Sequence, residues 1–226
     1  LPIRMVYGMY PEVALGGDRA ETQLKEVARS YVYKDILQFD TLRNADAVDT
    51  LLKALALQIG NEVSYNELSS LAGINKNTVQ RYMRILEQAF IIFRLNPFSK
   101  NARNELKKMR KVYFFDTGVR NALINNLNPL ELRQDTGALF ENFMISERIK
   151  FVRNNGKSPN NYFWRTHQGA EVDYVEEDGG ELAGYEFKWN TKTVKPPMSW
   201  KTTYKKASWS AVNRENWLEF ATSFNN

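Results

Sequence analysis

The chain has 226 residues, 43% of them apolar and 25% charged, the balance of a packed globular protein, which excludes disorder for the whole and leaves room for two domains. It has no cysteine and one histidine, His167, so disulfide frameworks, thiol nucleophiles, zinc-thiolate clusters and sites needing two imidazoles are excluded. No run reaches the roughly 18 apolar residues of a membrane span and no signal segment opens the chain, so a cytoplasmic protein without a membrane partner is expected, and the start at Leu1-Pro2-Ile3 points to a piece of a longer chain.

The net charge of +5 is unevenly spread. Residues 1–45 balance, 46–118 carry eleven basic against seven acidic side chains, 119–186 carry seven against eleven, and 187–226 seven against two. The spacing predicts a helix over Arg19–Phe39 and another over Ala47–Ile59, where Val48, Leu51, Leu52 and Leu55 repeat at three and four and Gly60-Asn61 stops the run. Ser64 stands three residues before Glu67 as a capping box, Gly73 interrupts, and a second helix restarts at Asn75 or Asn77, which makes a helix-turn-helix. Strands are expected at Ile91–Leu95 and Lys111–Phe115, with a basic segment between them, so residues 46–118 read as a winged helix. Duplex DNA is the expected partner, met by Lys76, Asn77, Gln80, Arg81 and Arg84 of the second helix and by Lys107, Lys108, Arg110 and Lys111 of the basic tip. A protein-docking module with a solvated basic face is the alternative.

In the second half a helix is expected over Gly137–Val152, then strands over Tyr162–Arg165, Ala170–Val175 and Leu182–Trp189, the last two joined by a Gly179-Gly180 hairpin. A helix near Trp200–Ala207 and a short segment at Trp217–Phe220 follow. Gly156-Lys157-Ser158 imitates the end of a phosphate-binding loop, but Phe151 stands where that motif needs glycine, so any ATP site lies outside this chain. His167 reads as a surface or packing residue, and the five tryptophans read as core or interface and not as base-stacking platforms.

The chemistry concentrates in the acidic hairpin. Glu171 and Asp173, like Glu186 and Lys188, are two apart and share a strand face. Pairing of these strands would bring Asp173 and Glu186 together beside Lys188. Two converging carboxylates call for a hard cation, and Mg²⁺ is the expected cofactor, with Asp173 and Glu186 as its ligands. Asp173, Glu186, Lys188 and Glu141 of the preceding helix then form a candidate hydrolytic site. A solvated acidic face is the bland alternative, and Glu105-Leu106-Lys107 shows that an acid-x-Lys triplet alone means little.

The order helix-Glu141, strand-Asp173, strand-Glu186-x-Lys188 resembles the PD-(D/E)XK nuclease superfamily, with Glu171-Val172-Asp173 in place of a Pro-Asp pair. Nearly the whole chain is similar to the C-terminal half of a group of prokaryotic AAA-type ATPases. The matching words include Tyr31-Val32-Tyr33-Lys34-Asp35-Ile36, Val112-Tyr113-Phe114-Phe115-Asp116-Thr117-Gly118, Gly137-Ala138-Leu139-Phe140-Glu141-Asn142 and Tyr185-Glu186-Phe187-Lys188. The resemblance implies a mixed α/β chain: a helical remnant or connector of an ATPase module at 1–45, a winged helix at 46–118 and a restriction-endonuclease-like domain at 119–226. It also implies an ATPase module in the same parent chain, with homo-oligomers as a further expected partner. The expected function is DNA binding with Mg-dependent phosphodiester hydrolysis, and the alternative is a non-catalytic interaction scaffold of the ATPase.

Overall fold

The computed structural model describes residues 1–30, 44–99, 110–190 and 194–224. The Tyr31–Ile36 word, Glu105, Lys107 and Lys108 lie outside them. The chain is mixed α/β, with ten α-helices and seven strands among the described residues. It divides into two compact units, one of residues 1–94 and 112–135, the other of residues 95–111 and 136–226.

In the first unit the helices are α1 (Pro2–Tyr7), α2 (Pro11–Ala14), α3 (Ala20–Val27), α4 (Ala45–Leu57), α5 (Tyr65–Ala72), α6 (Lys76–Gln88) and α7 (Thr117–Leu123). Asn44 caps α4 by accepting from the Ala47 amide, and Val48, Leu51, Leu52 and Leu55 bury one face of that helix. Fully burying such a side chain stabilises by about 1.5–3 kcal/mol. Ser64 caps α5 on the Glu67 amide, and Gly73 closes the helix at φ 63°, a left-handed conformation that costs glycine little. Asn75 then caps α6 through the Thr78 amide. The Ser64 and Gly73 signals thus produce the expected pair of helices. On α6, Val79, Tyr82, Met83 and Leu86 are buried while Lys76, Asn77, Arg81 and Arg84 are exposed. Strand β1 (Glu62–Val63) neighbours β3 (Arg110–Phe114), which neighbours β2 (Ile92–Pro97).

The motif Asp116-Thr117-Gly118 does more than follow a strand. Asp116 Oδ1 accepts from the Val119 amide at 3.0 Å and caps α7, while Oδ2 accepts from the Met9 amide at 2.7 Å. Asn121 Nδ2 donates to the carbonyls of Met5 and Val6 at 3.1 and 2.8 Å, satisfying the buried C-terminal end of α1. Buried Arg120 donates to the Ala56 carbonyl at 2.7 Å and pairs with Asp135 at 2.5 Å, and Arg133 also pairs with Asp135. Sequence periodicity does not predict α1 or α7, because each is under eight residues long and is specified by these long-range bonds.

The second unit contains the 19-residue α8 (Thr136–Asn154), α9 (Met198–Thr203), α10 (Trp217–Thr222) and strands β4 (Asn160–Arg165), β5 (Glu171–Asp178), β6 (Glu181–Phe187) and β7 (Ser208–Val212). Asn96 and Pro97, at the end of β2, pair parallel with Tyr162 and Phe163 of β4. β4 and β5 are antiparallel, β5 and β6 form the expected hairpin, and β6 and β7 are parallel. Tyr162 faces Val175 and Trp164 faces Val172, so Asp173 and Tyr174 together oppose Phe163, a β-bulge that turns the side chains of the intervening residues. One face buries Trp164, Val172, Val175 and Trp200. Gly184 permits this packing, since a Cβ there would stand 3.0 Å from the Trp200 ring. On the face carrying Tyr174, Arg148 of α8 grips Glu176 with two bonds of 2.8 and 2.9 Å. β7 has no sequence signal of its own, because Ser208–Val212 alternates weakly and is fixed by its register on β6. No helix of the described residues is long and apolar enough to cross a membrane.

A Cβ on Gly118 would lie 2.1 Å from the Tyr7 carbonyl oxygen, a backbone atom that cannot swing away. Gly118→Ala is therefore expected to destabilise by about 2 kcal/mol or more, read from the urea midpoint. Gly137→Ala, which meets nothing within 4 Å, should stay within about 0.5 kcal/mol of the parent. Equal midpoints for the two variants would contradict the close docking of α1 on α7.

Candidate functional site

The site lies within the second unit. Glu141 sits one turn into α8, Glu171 opens β5, Asp173 is the first bulge residue, Glu186 stands one from the end of β6 and Lys188 follows it. The Lys188 amide donates to the Val212 carbonyl at 2.9 Å, which holds this stretch to the end of β7. Tyr174 pairs with Tyr185, and extending that register by one residue sets Asp173 opposite Glu186. Asp173 Oδ2 accepts from the Phe187 amide at 2.9 Å. Lys188 Nζ lies 2.7 Å from Glu186 Oε1, whereas Glu186 Oε2 is buried with no hydrogen-bond partner among the described residues.

Lys111, from the start of β3, completes the cluster. Its side chain is 6% exposed; Nζ lies 3.5 Å from Glu141 Oε1, pairs with Glu171, and stands 5.4 Å from the centre of the Phe163 ring. Burial pulls the ammonium's pKa down, but the charges of Glu141, Glu171 and Asp173 overcome it and lift it to about 12. Burial pushes the Asp173 carboxyl up and Glu171 adds to this, against the pull of Lys111, the Phe187 amide and Lys188. Glu186 is raised by burial, then by Asp173 and Glu171, against Lys188. Lys188 is raised as well: its own burial opposes this, and Glu186, Asp173 and Glu141 outweigh it.

The four catalytic candidates thus belong to one cluster. Of the residues proposed for nucleic acid, Lys107 and Lys108 lie outside the described residues. Lys76, Asn77, Gln80, Arg81 and Arg84 follow one another along the outer side of α6, with Gln80 partly buried. Arg110 donates to Asn96 Oδ1 at 2.9 Å, and Lys111 is inside the acidic cluster instead of at a basic tip. Sequence reasoning gave Glu171 no role of its own and misplaced Lys111. The signal was available: one lysine heads the apolar run Val112–Phe115, and a lysine entering a core needs acidic partners. His167 is exposed, and Trp164 and Trp200 are core.

Asp173 and Glu186 are the residues that could hold a cation, because two desolvated carboxylates repel and Glu186 Oε2 is left without a donor. No group of three or more His, Asp or Glu side chains among the described residues could hold a metal ion by itself. An ion here would therefore complete its shell with water, as Mg²⁺ does.

The raised Lys111 pKa fixes the sign of a pH effect. Its stabilising contribution is complete below the ordinary lysine value of 10.5 and is lost as pH rises through about 12. Lys111→Met is expected to destabilise the metal-free protein by about 3 kcal/mol near pH 7. The difference from wild type should hold to pH 10 and shrink above it, as measured by denaturant unfolding across pH. A difference that already vanishes at pH 8 would contradict the buried pairs.

Residues 136–216 match a domain of unknown function (DUF4143), a domain found in AAA-ATPase-associated proteins. Uncharacterized proteins of Mycobacterium bovis and Mycobacterium tuberculosis are each 27% identical over 172 residues, which is 75% of this chain and 37% of theirs. An uncharacterized protein of Methanocaldococcus jannaschii is 26% identical over 180 residues, again 37% of its length. The chain thus spans little more than a third of these relatives. No solved structure matches it. Residues 1–130, more than half of the chain, match the model of a domain of unknown function (DUF8612), and the chain belongs to that family.

Proposed function

We propose that this chain is the C-terminal, nucleic-acid-directed part of a cytoplasmic AAA-type ATPase. In this reading the second unit is a PD-(D/E)XK nuclease-like domain that hydrolyses phosphodiesters with Mg²⁺, and residues 46–118 are a winged helix that contacts duplex DNA through α6. The observation that carries the reading is the Asp173–Glu186 pair: two carboxyls raised by burial, facing each other across β5 and β6, with Lys188 on one oxygen of Glu186 and no hydrogen-bond partner among the described residues for its other oxygen. The match of residues 136–216 to a domain of AAA-ATPase-associated proteins supports the parent.

Asp173 and Glu186 would hold the ion, which supplies polarisation of a phosphate oxygen and a lowered pKa of bound water. Asp173 is fixed for this by the Phe187 amide. Lys188, with 46% of its side chain exposed, can leave Glu186 to meet the scissile phosphate, where its ammonium offsets developing negative charge or orients the attacking water. Glu141 faces Lys111 and keeps that cation beside Asp173. A second reading, a non-catalytic scaffold of the ATPase, draws on Lys111 itself, which already neutralises Glu141 and Glu171.

The test is cleavage of duplex and single-stranded DNA by the chain in Mg²⁺ or Mn²⁺. Cleavage is expected, with Asp173→Asn and Lys188→Met each slower by about a hundredfold or more. Mn²⁺ should raise the melting temperature of wild type and of Lys188→Met, but not of Asp173→Asn. Metal stabilisation without cleavage of any substrate would favour the scaffold.

For α6, the reversal Lys76→Glu, Arg81→Glu, Arg84→Glu should abolish duplex binding near 0.1 M salt, where affinity of roughly micromolar or weaker is expected. Fluorescence anisotropy measures this, and unchanged binding would remove α6 from the interface.

A further inference from the structure

Lysine is almost never buried unless it is paired, and Lys111 is paired into the acidic site from a distant part of the sequence. It contacts Glu141 on α8 and Glu171 on β5, and its charge also reaches Asp173. The cluster then holds four carboxylates, Glu141, Glu171, Asp173 and Glu186, against the two ammoniums Lys111 and Lys188. Arg165 also approaches Glu171, to 3.7 Å, and its side chain is 46% exposed, as that of Lys188 is. Among the described residues the carboxylates of the cluster then exceed its cations by one, or by two where water screens Arg165, an excess that one divalent ion covers. Two-ion phosphodiester sites place the ions about 3.5–4 Å apart on shared carboxylates. Here the carboxylates that a second ion would need, Glu141 and Glu171, are already held by an ammonium.

We infer that Lys111 is a positioning residue that stands where a second divalent ion would bind, so that the site takes a single ion at Asp173 and Glu186. The inference rests on the metal reading of that pair and adds its stoichiometry. A tethered ammonium cannot exchange with solvent and cannot lower the pKa of a bound water, so it organises Glu141 and Glu171 without supplying a second hydrolytic centre.

The test measures bound Mn²⁺ per chain by equilibrium dialysis, together with the Mn²⁺-dependent rise in melting temperature, for wild type, Lys111→Arg and Lys111→Met. One ion is expected for wild type and Lys111→Arg. Lys111→Met is expected to bind two, with a larger thermal rise, because Mn²⁺ replaces the missing cation. If Lys111→Met is unfolded without metal, Mn²⁺ should restore its fold. A Lys111→Met protein that binds one ion with the wild-type thermal rise overturns the inference while leaving the Asp173–Glu186 site intact, and one that stays unfolded in Mn²⁺ overturns it as well. Binding to Lys111→Met but not to wild type would overturn the single-ion site, and the metal reading of Asp173 and Glu186 with it. No binding by either protein overturns both.

Discussion

Desolvated negative charge is the constraint around which the second unit is built. Asp173 and Glu186 are drawn together by the β5–β6 register, and burial raises the proton affinity of both. An isolated carboxylate in such a place would take up a proton. Here the Phe187 amide, Lys111 and Lys188 hold against that outcome without fully balancing it. The strand order, the bulge at Asp173 and the placement of α8 are the means by which one sheet brings acids and cations from four parts of the chain to a common point. A fold optimised for stability alone would place apolar groups there, since a buried ion pair gives little net stability over well-packed hydrophobic residues.

The first unit uses charge differently. Arg120, Arg133 and Asp135 are likewise buried or half-buried, but their bonds are complete: Arg120 reaches Ala56, Asn121 and Asp135, and Arg133 reaches Asn121, Asn126 and Asp135. Asp135 is held below the usual carboxylate range; burial works against this, and the bonds and charges of Arg133 and Arg120 prevail. A satisfied network of this kind fixes α7 against its neighbours and has no need of a ligand. The contrast with Glu186, whose second oxygen has no donor among the described residues, separates an architectural network from a candidate site, although both consist of the same residue types.

Much of this was legible in the sequence, for physical reasons. The amphipathic stripe of α4, the Ser64 cap and Gly73 stop of α5, and the Gly179-Gly180 hairpin are local signals, and each appears where its chemistry predicts. The neighbourhood of Asp173, Glu186 and Lys188 followed from strand periodicity and one hairpin. Short elements held by distant partners were not legible: α1 depends on Asn121 more than a hundred residues away, and β7 depends on β6. Lys111 was misread because its charge was grouped with its sequence neighbours, when its spatial partners lie on α8 and β5. The bulge between Tyr162 and Trp164 was equally invisible, since it is a property of pairing and not of β5 alone.

The central claim is that Asp173 and Glu186 form a divalent-cation site, and the direct measurement is an anomalous difference map from crystals of this chain grown or soaked in Mn²⁺. The account predicts a peak within about 2.1–2.3 Å of one oxygen from each carboxylate, with Glu186 Oε2 as a ligand and water at the remaining positions. Saturating Mn²⁺ with no peak between the two carboxylates, or a peak bound elsewhere in the unit, would contradict it and leave the acidic pair as an internal ion network of the scaffold.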